Sequence, residues 1–185
     1  MPPIMARVQE PTKGRPIVSI IYSSLDALSD SLKALERKFG PVQYETLEID
    51  CSKTEMYTEE MGGDLLRRFF SFERLAERVS LADMKKICHK IEPHFADQTA
   101  GFNFRTVNID PGILTPSNLT MASHRELNHR VYLKDGVYAE LALIYARGQF
   151  RRLPWTNPDY CQGEAIEFFM RVHKSFELAE SAVGW

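Results

Sequence analysis

The sequence predicts an α+β fold: a ferredoxin-like βαββαβ half, extended by an antiparallel β-meander and closed by a C-terminal helix. Three observations carry this. Between residues 15 and 110, two helix-period apolar stripes alternate with four β-rich runs in the order β-α-β-β-α-β, that of a split βαβ arrangement. Between residues 129 and 153, the pair Asp135-Gly136 and the weaker pair Arg147-Gly148 mark two tight hairpins in succession. After Gly163, a third stripe of Ile166, Phe169, Met170, His173 and Phe176 marks a closing helix.

Each element has its own signal. "RPIVSIIYSS" has apolar residues at both parities, the pattern of a strand covered on both faces. Leu28, Leu32, Leu35 and Phe39 then form one helix stripe, with Ser23 and Asp26 placed as a capping box and Gly40-Pro41 as the stop. "VQYETLEID" alternates as a half-covered strand, with an irregularity at Thr46-Leu47 where the phase shifts. "CSKTEMYTEEMGGD" reads as a loop or short helix, and the aromatic cluster over residues 67–72 as a strand. Met84, Ile87, Cys88, Ile91 and Phe95 give the second stripe, with Ser80 and Asp83 at its start. "FNFRTVNID" is a strand ending in a turn at Pro111-Gly112. Residues 118–123 add another strand, and "PWTNPDY" is an aromatic, proline-rich loop.

The bulk properties bound the function. The chain has 185 residues, 44% hydrophobic and 26% charged, which suits one domain over 15–185 behind a loose polar arm over 1–14. A formal charge of −2 supplies no basic field for nucleic acid, so no nucleic-acid partner is expected. Arg67, Arg68, Phe69, Phe70 and Phe72 mix basic and aromatic residues as RNA-binding strands do, but without that basic surplus. The longest apolar run, "IVSIIY", is too short to span a membrane, and the start lacks the apolar core of a signal peptide. Three scattered cysteines without a C-x-x-C pair fit reduced thiols, so a cytoplasmic protein is expected. No group of residues has a recognised metal-ligand spacing: no metal site is expected, nor a need for metal in folding, and the sequence names no cofactor and no oligomeric state.

The polar residues of "NIDPGILTPSNLTMASHRELNHRVYLKDGVYAEL" carry the functional signal. With Val107 and Ile109 turned to the helices, Asn108 and Asp110 face the other side of the sheet, for which the later hairpins are the natural cover. If Asp135-Gly136 is a two-residue turn, Tyr132 faces Ala139 and Arg130 faces Leu141, while His129 and Glu140 are diagonal neighbours on the opposite face. Arg152 joins the Arg130 face through the second hairpin. Asp110, His129 and Glu140 are the candidate catalytic groups, with Glu140 orienting His129 as a general base. Asn108, His124, Arg130, Tyr132 and Arg152 are the candidate ligand-binding groups, arginine being suited to two-point contact with phosphate or carboxylate. Each has a plain structural alternative: a turn at Asp110, a cross-strand pair at His129 and Glu140, a solvated sheet face for the arginines.

"VNIDPGILTPSNLTMAS", "HRVYLKDGVYAEL", "LPWTNPDY" and "EEMG…LLRRFFSFE" closely resemble the prokaryotic domain-of-unknown-function family 4416, over nearly the whole chain after the arm. The resemblance implies no activity and no catalytic residue. Some members bear a GTP-binding label, yet this chain has no G-x-x-x-x-G-K-[ST] loop, and its Gly62-Gly63 is followed by Asp64. Members tend to have two adjacent tyrosines before the "EEMG" stretch, where this chain has Met56-Tyr57. The functional expectation is an uncharacterised protein that binds, or acts on, a small anionic or phosphorylated metabolite in a cleft between the two sheet halves. The alternative is a non-catalytic adaptor using a sheet face or the "PWTNPDY" loop.

Overall fold

The computed structural model describes residues 8–51, 57, 60–96 and 105–183, with side chains described through residue 176. Among these are nine strands in a single sheet: β1 (Arg15–Tyr22), β2 (Val42–Glu45), β3 (Ile49–Asp50), β4 (Leu66–Phe72), β5 (Val107–Leu114), β6 (Asn118–Ser123), β7 (Val131–Lys134), β8 (Val137–Ala146) and β9 (Gln149–Arg152). Three helices accompany them: α1 (Leu25–Phe39), α2 (Leu81–Ile91) and α3 (Gly163–Val183). The sheet order is β2-β4-β1-β5-β6-β8-β7, with β3 beside β4 and β9 beside β8, and every strand pair is antiparallel. The protein is therefore α+β, with β2-β4-β1-β5 in the order that two interleaved βαβ units require.

Strand parity sorts the core into two layers. Val18, Ile20, Phe70, Val107 and Ile109 pack with Leu28 and Leu35 of α1 and Met84 and Cys88 of α2. On the other face, Ile17, Phe69, Leu114, Leu119 and Leu143 pack under Phe168, Phe169 and Val172 of α3. The cover expected from the hairpins is thus supplied by α3, because β7, β8 and β9 continue the sheet edgewise instead of folding back over it.

Several local expectations are corrected. Ser24, not Ser23, caps α1, accepting from the Ala27 N–H at 3.4 Å. Ser80 precedes α2 without a side-chain cap, its hydroxyl donating to the Glu77 carbonyl instead. The irregularity at Thr46-Leu47 is a break separating β2 from β3. Most of "CSKTEMYTEEM" lies outside the described residues. Within the arm, Thr12 accepts from Arg78 and Gly14 bridges to Ala76.

The turn expected at Asp110-Pro111-Gly112 does not form: β5 runs through it, with Pro111 opposite Val18 and Gly112 opposite Ile17. The proline is tolerated for a topological reason. β5 and β6 pair only through Gly112–Leu114 and Leu119–Met121, so residues 107–111 have β1 on one side and, among the described residues, no paired strand on the other. A missing N–H costs little on such an edge. Gly112 sits where the strands meet; a Cβ there would overlap the Met121 sulfur and lie 2.9 Å from the Thr120 carbonyl oxygen.

Both hairpin turns are as expected, with Asp135, Gly136, Arg147 and Gly148 all at positive φ. Arg152 pairs with Leu143. The β7–β8 register differs by one residue, since a bulge at Leu133 sets Tyr132 opposite Tyr138 and Val131 opposite Ala139.

Candidate functional site

Where β5 and β6 part, the sheet forks, and the fork opens into a cleft of about 460 Å³. Its β5 wall carries Asn108 and Asp110, and its β6–β8 wall Met121, Ser123 and Glu140. Arg67 and Tyr160 form the base under the sheet face, α2 and its continuation supply Lys85, His89 and Glu92, and Tyr57, Arg105, His124, Arg125 and Arg130 complete the rim and sides.

The fork raises an accounting problem: residue 109 of β5 directs its backbone groups toward a neighbour strand that is not there, and buried backbone groups must be paired. Two charged side chains replace the missing strand. The Ile109 N–H donates to Glu92 Oε1 at 2.6 Å, and Lys85 Nζ donates to the Ile109 carbonyl at 3.0 Å. Lys85 continues through the gap to Asp110 Oδ1 at 2.7 Å. Asn108 Nδ2 donates to Asp110 Oδ2 at 2.8 Å, and Arg105 bridges Asn108 Oδ1 (2.6 Å), Glu92 (3.2 Å) and Glu60 (2.9 Å).

The Lys85 side chain is 6% exposed, while that of Asp110 keeps 22% exposure into the cleft. Burial works against both charges, but each group holds the other ionised: Lys85 and Asn108 draw the Asp110 carboxyl below its ordinary range, and Asp110 with Glu92 draws the Lys85 ammonium above its own. Lys85 is therefore a charged hydrogen-bond donor, not a neutral amine nucleophile, and Asp110 is a carboxylate. Beside them Arg67, 2% exposed, is held by Asp159 (3.1 Å) and Ser19 (2.6 Å) and lies 5.3 Å from the Tyr160 ring centre. Burial raises the Tyr57 and Tyr160 phenols, which stay protonated. Burial likewise pushes the Cys51 thiol up to about 11, so it offers no thiolate at neutral pH.

On the opposite wall, Glu140 Oε2 accepts from Arg130 Nε at 2.6 Å and meets His129 Nε2 at 3.0 Å. The expected register would have sent Arg130 and His129 to opposite faces. Both reach Glu140 because the chain leaves β7 before residue 131 in a turn, the Arg130 N–H donating to the Leu127 carbonyl. Arg130 Nη1 also donates to Ser123 Oγ (2.8 Å) and the Arg125 carbonyl (3.0 Å), which fixes the guanidinium on the cleft wall.

The structure thus gathers Asn108, Asp110, His124, Arg130 and Glu140 around one cleft. His129 does not line it. It stands behind Glu140, stacked on Trp155 with ring centres 5.1 Å apart. Tyr132 lies elsewhere, edge-on to Tyr138 because of the Leu133 bulge, and Arg152 projects from exposed β9. Sequence reasoning missed Lys85, Glu92, Arg125 and Tyr57, and weighed Arg67 only in a basic-aromatic strand of the RNA-binding kind. A signal existed for two of them. Lys85 shares the buried stripe of Leu81, Met84 and Cys88, and Arg67 precedes Phe69 on the same strand face.

Among the described residues no helix is long and apolar enough to cross a membrane, and no group of three or more His, Cys, Asp or Glu residues is placed to hold a metal ion. Searches of curated proteins and of solved structures gave no match. The sequence profile of a domain of unknown function, DUF4416, matches residues 12–176, and the chain belongs to that family.

Proposed function

We propose that the fork cleft binds a small anionic molecule, a phosphorylated metabolite in particular. The lining carries the reading: among the described residues it has five cations, Arg67, Lys85, Arg105, Arg125 and Arg130, against the three carboxylates Glu92, Asp110 and Glu140, in a chain of net charge −2. Asp159 and Glu60, which pair with Arg67 and Arg105 and are not part of the lining, balance that excess in formal charge. The three lining carboxylates are all tied to internal cations, which leaves the rim to donors. Arg130 is pre-organised by Glu140 and Ser123, so little side-chain entropy is lost when it receives an oxyanion. The cleft has the size of a small-molecule site.

In this reading Arg125, Arg130 and Ser123 take the anionic group, with His124 beside them on the rim, and Asn108 and Asp110 contact the remainder of the ligand. Asp110 and Lys85 are the pair able to move a proton or stabilise developing charge, should the bound molecule react. Glu140 orders the Arg130 wall, with His129 a positioning residue behind it.

The competing adaptor reading has one observation in its favour, the edge strand β7, where Val131 and Tyr132 are 68% and 57% exposed. A melting screen separates the two. Orthophosphate, sugar phosphates, nucleotides and organic acids are tested in the presence of chelator. A ligand at a hundred times its dissociation constant adds about 2.7 kcal/mol, which for a chain of this length raises Tm by about 5–10 °C. The rise is expected for a phosphorylated compound and is reduced in Arg125→Gln. A blank screen, or a shift indifferent to Arg125→Gln, overturns the anion reading.

A further inference from the structure

We propose that His89 and His124 form a two-imidazole site for a borderline divalent transition ion, such as zinc, nickel or cobalt, on the cleft rim. The two rings come from separate elements, α2 and the segment after β6, and meet with centres 5.1 Å apart at 71°. Two imidazoles bound to one tetrahedral ion at about 2.0–2.1 Å per nitrogen have ring centres roughly 5 Å apart. The observed ring spacing matches that distance.

His124 also has the outer partner that fixes a metal-binding tautomer. His124 Nδ1 lies 3.0 Å from the Gly136 carbonyl, an acceptor only, so Nδ1 carries the proton and Nε2 keeps the lone pair. His89 Nδ1 lies 3.7 Å from Glu92 Oε2, an ion-pair contact longer than a hydrogen bond.

Beside the rings, α2 is clamped to the β7–β8 hairpin, whose Gly136 carbonyl holds His124. Lys86 of α2 bonds Asp135 of the β7–β8 turn at 2.7 Å, and Lys134 bonds Asp83 at 2.9 Å. These contacts also match the nearby lysine charges with carboxylates, which lowers the repulsion a cation meets there. Two protein ligands leave the other positions to water or to an anion, so the ion is weakly held and distinct from any structural metal. Imidazole ligands favour zinc, nickel or cobalt over magnesium.

The test uses metal alone, so its failure leaves the anion reading untouched. Untagged full-length protein is titrated with zinc and nickel by calorimetry, with magnesium as the control. One ion per chain is expected, with affinity lowered roughly tenfold or more in His89→Ala and in His124→Ala. His94→Ala, an exposed histidine just beyond α2, should bind as the parent does. Both target rings are exposed, so the variants should keep the parent melting profile, checked by circular dichroism. No saturable binding, or binding that survives both His89→Ala and His124→Ala, overturns the site.

Discussion

One face of this sheet carries two regions of opposite chemistry, and the same strands build both. Under α3, β4 presents Phe69, β5 Leu114, β6 Leu119 and β8 Leu143, all fully buried. A few residues along on the same strands, that face presents Arg67, Asp110, Ser123 and Glu140. The apolar region is closed by a helix and by β5–β6 pairing. The polar region has neither, and charged side chains substitute for the absent strand. A polar residue two positions from a core residue thus need not mean a solvated surface; here it marks where the sheet stops pairing.

Substitutions can break the comparison. Phe169→Ala in the apolar region should cost about 3–5 kcal/mol by leaving a cavity, yet preserve ligand-induced stabilisation. In the polar region Lys85→Met should cost a similar amount, about 3–5 kcal/mol, because it strands Asp110 and uncouples Ile109. That variant should lose the ligand response. Lys85→Met/Asp110→Leu should recover much of the stability and still bind nothing. Denaturant melts with and without orthophosphate measure all three variants.

The fold was legible where periodicity and turn chemistry agree: the three helix stripes, the strands of the first half and the Asp135-Gly136 and Arg147-Gly148 turns. It was misread where a local rule met a tertiary one. Pro111-Gly112 has the composition of a turn, but β1 holds the segment extended, and nothing local reveals that β6 is absent beside it. The bulge at Leu133 was likewise hidden, and with it the arrival of Arg130 on Glu140, where His129 alone was expected. Parity sufficed to place Asn108 and Asp110 together. Lys85 and Glu92 come from a helix on the other face, which strand parity cannot report.

Acid and alkali should act on the polar region through Asp110 and Lys85. The Asp110 carboxyl is depressed in the fold, so its contribution is present above 3.8 and is lost as pH falls below that value. The Lys85 ammonium is raised, so its contribution is present below 10.5 and is lost as pH climbs above it. Lys85→Met/Asp110→Leu should flatten both limbs of the stability profile, and Phe169→Ala should leave their shape unchanged. A double variant that keeps both limbs would place the responsible groups elsewhere.

The smallest effect sharpens the boundary between the regions. Gly112→Ala should cost about 1–3 kcal/mol, because the Thr120 carbonyl cannot yield as the Met121 side chain can. The strain falls at the point of the fork, so amide exchange should rise at residues 112–114 and 119–121 and stay unchanged in α3. Uniform loss of protection would mean that the fork is no separate region.

Amide shift mapping by NMR during titration with orthophosphate and with a sugar phosphate tests the fork directly. Saturable changes are expected at Asn108, Asp110 and the stretch from Ser123 to Arg130, with little at Phe168, Phe169 and Val172 of α3. Changes centred on α3 or on the exposed strand β7, or none at either ligand, would contradict a ligand site at the fork.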